Sequence, residues 1–471
     1  MRKYPKVFLG CLFILFLSAC ATYYQKSAAF QKSFALGEID KAKTFLEKND
    51  KKAVKSKDRL LYFFDRGVID HMLGNYSESN EYFEKAYVFH QDYRKSLGSS
   101  IGSYLSNDMT KPYEGEDFEV VLVHFYKALN YIYLNEFNAA LIEARRINIL
   151  LNEFNSKYEK KKNRYKVDAF SLLLTGLIYE AQGEYNDAFI AYRNAYEAYN
   201  EVYEQHFKVS APEQLKIDIL RMANKLRFIN ELDFYEREFG MKYEESWESD
   251  NGEVAFFWLN GLGPVKGEFS LTLTKVKGVG GALTFSNEDE NITLPVYIDS
   301  YSSKETTQME GVGFVRLALP RYRTRLPYYS SASIRTKDEE YPLVQVENIN
   351  KIAYATLEDR ELRELAQSIG RLVLKQATEA VARDKNEDIG TAVSIINALT
   401  EKADTRNWQT LPHSIYYQRI PLQKGSNELD LVTKDLNHNE RITKLTFESG
   451  RKLSFSSFHS LESGPPQKVS K

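Results

Sequence analysis

Residues 169–202 read AFSLLLTGLIYEAQGEYNDAFIAYRNAYEAYNEV. Apolar residues recur three and four apart on both sides of Gly183, so the stretch predicts two amphipathic helices joined by a tight turn. Small residues (Gly176, Ala188, Ala195) fall where two antiparallel helices would touch, and large ones (Tyr179, Tyr185, Tyr192) where they would fill the space around that contact. Gly183 supplies the left-handed backbone that the turn needs.

The same pattern returns elsewhere. One unit has Gly67, Gly74, Tyr76, Ser79, Phe83 and Ala86; another has Ala128, Tyr131, Asn135, Phe137, Ala140, Ala144 and Ile147; a weaker one comes first, with Gly37, Ala42 and Leu46. The spacing within each unit is that of a tetratricopeptide repeat, whose period is about 34 residues. The turn positions 37, 74, 135 and 183 are separated by 37, 61 and 48 residues, so the array is interrupted. Extra helices or loops are expected near 95–115 and 150–165.

Working outward, almost the whole of 23–240 reads as helix, and Pro212 opens a last helix over 212–229. The texture changes at 241–252, where Glu244, Glu245, Glu248, Asp250, Asn251 and Gly252 form a polar linker. Short alternating runs follow at 253–259, 267–275, 291–298, 312–319, 328–336 and 342–349, then at 414–422, 427–433, 440–447 and 451–456. Such runs, separated by turn residues, signal antiparallel sheets. Between the two sets lie a long amphipathic helix at 356–383 and a shorter one at 389–401. The expected fold class is α+β and multidomain. A tetratricopeptide-like α-solenoid (20–240) and a linker (241–252) precede an antiparallel β-domain (253–460) with helices inserted at 356–401, and a disordered tail (461–471) closes the chain.

The N-terminus reads as a targeting segment. Arg2, Lys3 and Lys6 precede an apolar run, Val7 to Leu17, too short to span a bilayer as a helix. Leu17-Ser18-Ala19-Cys20 then resembles a lipobox: signal peptide 1–19, with Cys20 the lipidated first residue. The chain holds two cysteines, Cys11 and Cys20, so no thiol remains for a disulfide or a cysteine metal site once the signal is cut and Cys20 acylated. By the sorting rules of lipoproteins, Ala21 favours the outer membrane, facing the periplasm. The net charge of −2 becomes more negative without Arg2, Lys3 and Lys6, which argues against a nucleic-acid partner.

Few motifs suggest chemistry. Gly98-Ser99-Ser100-Ile101-Gly102 fits G-x-S-x-G but lacks the strand a nucleophile elbow needs. The seven histidines show no metal-ligand spacing, and Gly278–Gly281 reads as a hairpin turn. The acids Glu114, Glu116, Asp117 and Glu119 suit the positive end of a helix. Glu143, Arg145 and Arg146 are expected to form a helix-surface network, and Arg316, Arg321, Arg323 and Arg325 a solvated basic loop or a site for an anionic glycan or headgroup. Asp404, Arg406 and Trp408 form the densest polar cluster beside an aromatic: a staple of helix to strand, or a second contact site.

Four strings, Tyr113–Glu119, His124–Tyr131, Ala140–Arg146 and Glu401–Pro412, together with the lipobox, resemble a family of uncharacterised bacterial lipoproteins with tetratricopeptide-like repeats. The resemblance covers most of the chain after the signal and brings no catalytic residues. It implies an envelope protein and points to the peptidoglycan-synthesis machinery as a partner.

The expected function is a non-catalytic, membrane-anchored scaffold without cofactor or metal, binding an envelope protein or peptide. Phe64, Val68, His71, Phe125, Leu129, Tyr133, Leu173, Leu177 and Glu180 fall at positions that line the inner surface of such an array, unless neighbouring helices cover them. The rival readings are a glycan- or ligand-binding or enzymatic β-domain on a repeat platform, and a subunit of an export or assembly complex.

Overall fold

In a computed structural model, the described residues are 23–48, 50–97, 111–157, 163–276, 282–287, 292–297, 314–360, 403–450 and 453–467. The lipobox, the G-x-S-x-G string, Gly278–Gly281 and most of the expected 356–401 helices lie outside them.

The helices are α1 (Tyr23–Ala35), α2 (Ile39–Glu47), α3 (Asp50–Ala53), α4 (Arg59–Met72), α5 (Tyr76–Leu97), α6 (Asp117–Tyr133), α7 (Phe137–Lys157), α8 (Ala169–Gln182), α9 (Tyr185–Ala198), α10 (Glu204–Phe207), α11 (Glu213–Leu226) and α12 (Ile229–Phe239). They pair as antiparallel hairpins: α1 with α2, α4 with α5, α6 with α7, α8 with α9 and α11 with α12. Each hairpin turns on one left-handed residue, Gly37, Gly74, Asn135, Gly183 and Arg227. The backbone hydrogen bonds repeat with it: Glu184 N–H donates to Tyr179 O and Gly183 N–H to Glu180 O, both at 3.0 Å, and the other four turns carry the equivalent pair. Inside the pairs, a Cβ on Gly176 would lie 2.4 Å from the Tyr192 ring, and one on Gly67 2.5 Å from Phe83. The missing side chain is what lets the axes close. Ala128 and Ala144, both fully buried, occupy the corresponding places in α6 and α7.

The β-region holds β1 (Glu253–Asn260), β2 (Val265–Val276), β3 (Ala282–Asn287), β4 (Ile292–Tyr297), β5 (Phe314–Arg323), β6 (Tyr329–Arg335), β7 (Glu340–Pro342), β8 (Val344–Glu347), β9 (Ser414–Pro421), β10 (Ser426–Asp435), β11 (Glu440–Glu448) and β12 (Leu453–Ser460). They form three sheets, ordered β12-β1-β9-β8, β11-β10-β6-β7 and β4-β3-β2-β5. Pairing is antiparallel except for β1, which runs parallel to β12. Residues 349–360 are helical and mark the start of the expected insertion.

Every residue of β1 is buried, as a strand covered on both faces must be. Ala255, Phe257 and Leu259 join the core of the helices, while Val254, Phe256 and Trp258 join a second core with Ile334, Leu429 and Leu431 of the next sheet. The chain is thus stacked in three layers: helix pairs, the β1 sheet, then the β10 sheet.

One expectation needs correction. Residues 461–467, expected to be disordered, pair with the strand edge: Thr324 N–H donates to Gln467 O at 2.9 Å and Gly464 N–H to Leu326 O at 2.8 Å. The polar stretch 241–252 lies between α12 and β1, with a short turn at Glu245–Trp247 and Glu248 against Arg221 at 3.3 Å.

Candidate functional site: the inner face of the repeats

The first helix of the three central pairs, α4, α6 and α8, lies between its partner helix and the β1 sheet, and nearly all of its side chains are buried. The structure gathers the nine predicted groove residues on this face. The chain's own β-region covers them.

At one end, Glu180 of α8 receives Arg419 of β9, with Nη2 to Oε1 at 2.5 Å and Nη1 to Oε2 at 2.9 Å. Arg419 also reaches Asp218 at 3.0 Å and Glu253 at 2.6 Å. Arg221 bridges Asp218 and Glu253 from α11, and the Tyr192 hydroxyl donates to Glu180 at 2.7 Å. Against the burial that disfavours its charge, Arg419 and then Arg221 hold the Glu180 carboxyl well below its usual range. Burial pushes Asp218 up despite Arg419, since Glu180 crowds the same site.

In the middle, Leu129, Leu173 and Leu177 are fully buried, and Phe125 meets Phe170, which in turn meets Phe257 of β1 at 5.6 Å between ring centres. Tyr133 donates its hydroxyl to Ser457 of β12 at 2.6 Å. His71 hydrogen-bonds Asn130 through Nδ1 at 2.6 Å, and its ring centre lies 5.5 Å from that of His459. Burial lowers His71 to about 4 and, with His71 beside it, lowers His459 to about 3.

At the other end, Val68 is fully buried and Phe64 stacks on Trp408, centroids 4.3 Å apart and planes 17° apart. Trp408 belongs to an irregular arm that precedes β9. Its backbone N–H donates to Glu119 Oε1 at 2.7 Å. Its indole donates to Thr410, whose hydroxyl donates to Asp65 of α4 at 3.0 Å. Arg406 forks onto Asp404 at 2.9 and 2.7 Å, and reaches Asp58 at 3.0 Å and the Lys111 carbonyl at 3.1 Å. The three residues of the second candidate site therefore clasp helix to sheet. Such charge-assisted, bidentate contacts fix orientation as well as adding energy.

The acids of 113–119 behave likewise. Glu116 meets Lys266 of β2 and Arg360 of the inserted helix. Arg360 and Lys266 keep its carboxyl low against burial. Glu119 accepts from Tyr113 at 2.6 Å and from its own helix start, the Glu116 N–H, at 3.1 Å; burial and then Glu116 push it up. Glu143 pairs instead with His124, Lys127 and Arg146. Arg325 of the basic stretch is buried, donating to Gly263 O and Gln409 O.

Sequence reasoning missed the partners: Arg419, Asp218, Arg221, Glu253 and Lys266. The available signal for Arg419 was one arginine inside the otherwise alternating strand SIYYQRIP. Among the described residues no group of histidine, cysteine, aspartate and glutamate is placed to hold a metal ion.

The sequence matches no protein-family model and no curated protein. Among solved structures it is similar to the apo form of RapI, at 17% identity and TM-score 0.35 over 50% of this chain and 57% of that one. It is also similar to aspartyl phosphate phosphatase F from Bacillus subtilis, at 18% and 0.32 over 46% and 49%, and to MamA, at 15% and 0.29 over 44% and 91%. The chain spans about half the length of the first two. At such TM-scores the repeat fold rests on the helix pairs themselves.

Proposed function

We propose that the chain is an envelope lipoprotein, tethered through Cys20 to the outer membrane, that acts as a protein-interaction scaffold and not as an enzyme. One observation carries the reading of the scaffold: the inner face of the repeats is filled by the β1 sheet, so helices and sheets form one body with a continuous core. Glu116, Glu119, Glu180, Asp218 and His459, all with displaced proton affinities, are held in contacts between helices and strands or their connecting arm, which suits a rigid platform more than a reacting site. A partner then meets the outer helices or the far sheets, and an envelope protein or peptide is the partner we put forward, with the peptidoglycan-synthesis machinery one candidate. Confinement by the tether raises local concentration without any new contact.

The test is fractionation together with crosslinking in intact envelopes. The native chain should sediment with membranes, carry a lipid on Cys20 by mass spectrometry, and recover an envelope protein. Cys20→Ala should appear in the soluble periplasmic fraction. A Cys20→Ala chain that still sediments with membranes overturns the tether, and measured turnover of an envelope substrate overturns the scaffold.

A further inference from the structure

Four lysines stand together at one end of the first helix pair. Lys48 follows α2, Lys51 and Lys52 lie in α3, and Lys55 comes just after it. All four are exposed, and none forms an ion pair among the described residues. Other lysines nearby are engaged: Lys41 by Glu38 and Lys43 by Asp70. The acids of the same stretch are also engaged, since Glu47 meets Arg66 at 3.3 Å, Asp58 meets Arg406, and Asp50 accepts the Tyr62 hydroxyl. Asp50 alone among these acids faces a neutral partner, so four lysines against one carboxylate leave a local excess of positive charge on a chain whose net charge is −2. Phe45, 38% exposed, precedes Lys48 by one helical turn.

The hairpin places this patch. α1 runs 13 residues, about 20 Å at 1.5 Å per residue. The chain then reverses at Gly37, and the nine residues of α2 carry Lys48 back about 14 Å along the same hairpin, toward the end at which α1 begins. Cys20 stands three residues before Tyr23 in the sequence. Three residues span at most about 11 Å, so a lipid on Cys20 would draw this end of the first hairpin toward the bilayer.

We propose that Lys48, Lys51, Lys52 and Lys55, with Phe45 beside them, form a docking surface for the anionic phospholipid headgroups around the anchor. The proposal rests on the lipid-anchor reading and deepens it. A tether at one point leaves a protein free to pivot. A cationic patch next to the tether turns that pivot into a fixed pose. Each lysine close to an anionic surface strengthens binding roughly fivefold, and the attraction fades within a Debye length.

The experiment uses the chain from residue 20 onward carrying Cys20→Ala, so that no acyl chain contributes. It is sedimented with vesicles of phosphatidylcholine containing 30% phosphatidylglycerol (about physiological in sign, not in species) and with pure phosphatidylcholine, at low and high salt. The expected result is binding to the anionic vesicles only, lost at high salt, and weakened about tenfold or more by K48E/K51E/K52E/K55E. Among the described residues those side chains make no ion pairs, so the variant should keep its circular dichroism and melting temperature. Equal sedimentation with both vesicle types, undiminished binding of the variant, or binding to a soluble polyanion but not to vesicles would overturn the patch. Failure of the anchor shows separately, as an unmodified Cys20 in the native chain.

Discussion

Arg419 and Glu180, one on a strand and one on a helix, are 239 residues apart in sequence and joined by two hydrogen bonds in a site sealed from solvent. Removing one partner of such a pair strands the other without compensation and costs about 3–5 kcal/mol. Arg419→Met should lower stability by that order in chemical denaturation, with Glu180→Gln costing less because Tyr192 can still donate to the amide oxygen. A double-mutant cycle should return a coupling of about 1–3 kcal/mol. A variant within about 0.5 kcal/mol of the native chain would show the contact to be incidental.

Trp408 is the hydrophobic counterpart of that bond. It is almost fully buried among Phe64, Phe83 and Tyr126. Trp408→Ala should destabilise by about 3–5 kcal/mol. It should also loosen the arm, and limited proteolysis should cut first near residues 403–412. Uniform resistance to protease there would count against the clasp.

The helix turns offer a contrast between two glycines seven residues apart. Gly176→Ala pushes a methyl into the Tyr192 ring and should cost about 1–3 kcal/mol. Gly183→Ala meets nothing within 4 Å and is strained only by its φ of +83°, so about 1 kcal/mol is expected. Thermal melts of the two variants should rank in that order.

Proton binding adds opposing trends. His71 and His459 sit at about 4 and 3, against an ordinary value of 6.5. The unfolded chain therefore takes up protons first on acidification. The stability these groups contribute is intact above pH 6.5 and drains away as the pH falls toward 4. Glu119 and Asp218 are displaced upward, so the folded chain holds their protons more tightly and their contribution is lost as the pH rises above the ordinary carboxyl range. Melting temperatures of His459→Gln should fall less steeply between pH 6.5 and 4, and those of Glu119→Gln should depend less on pH toward neutrality. Parallel profiles for variant and native chain would refute the assignment.

The parts of this arrangement that could be read from sequence are local. Gly176 and Tyr192, or Gly67 and Phe83, announce their contact because helix period and turn length fix where they meet. The inner-face positions, Phe64 to Glu180, follow from the same periodicity. What covers them does not, because Arg419, Ser457 and His459 arrive from strands far along the chain, and alternation within a strand says which residues share a face but not what that face meets. Trp408 stood out as an aromatic among polar residues, yet its role depends on Asp65 and Glu119, which no spacing links to it. β3 and the short β7 were missed, and the tail was taken for disordered because its pairing is to an isolated strand edge.

The parallel pairing of β1 with β12 has a consequence for biogenesis. The first strand of the β-region cannot complete its ladder until the last is available to pair. Until then the helical half presents Leu129, Leu173 and Leu177 without their lid, and closure waits on contacts that are slow to form because they are distant along the chain. A polypeptide cut short before Leu453 would keep its helices but lose the seam, leaving quality-control proteases an oily trough by which to tell it from the finished molecule.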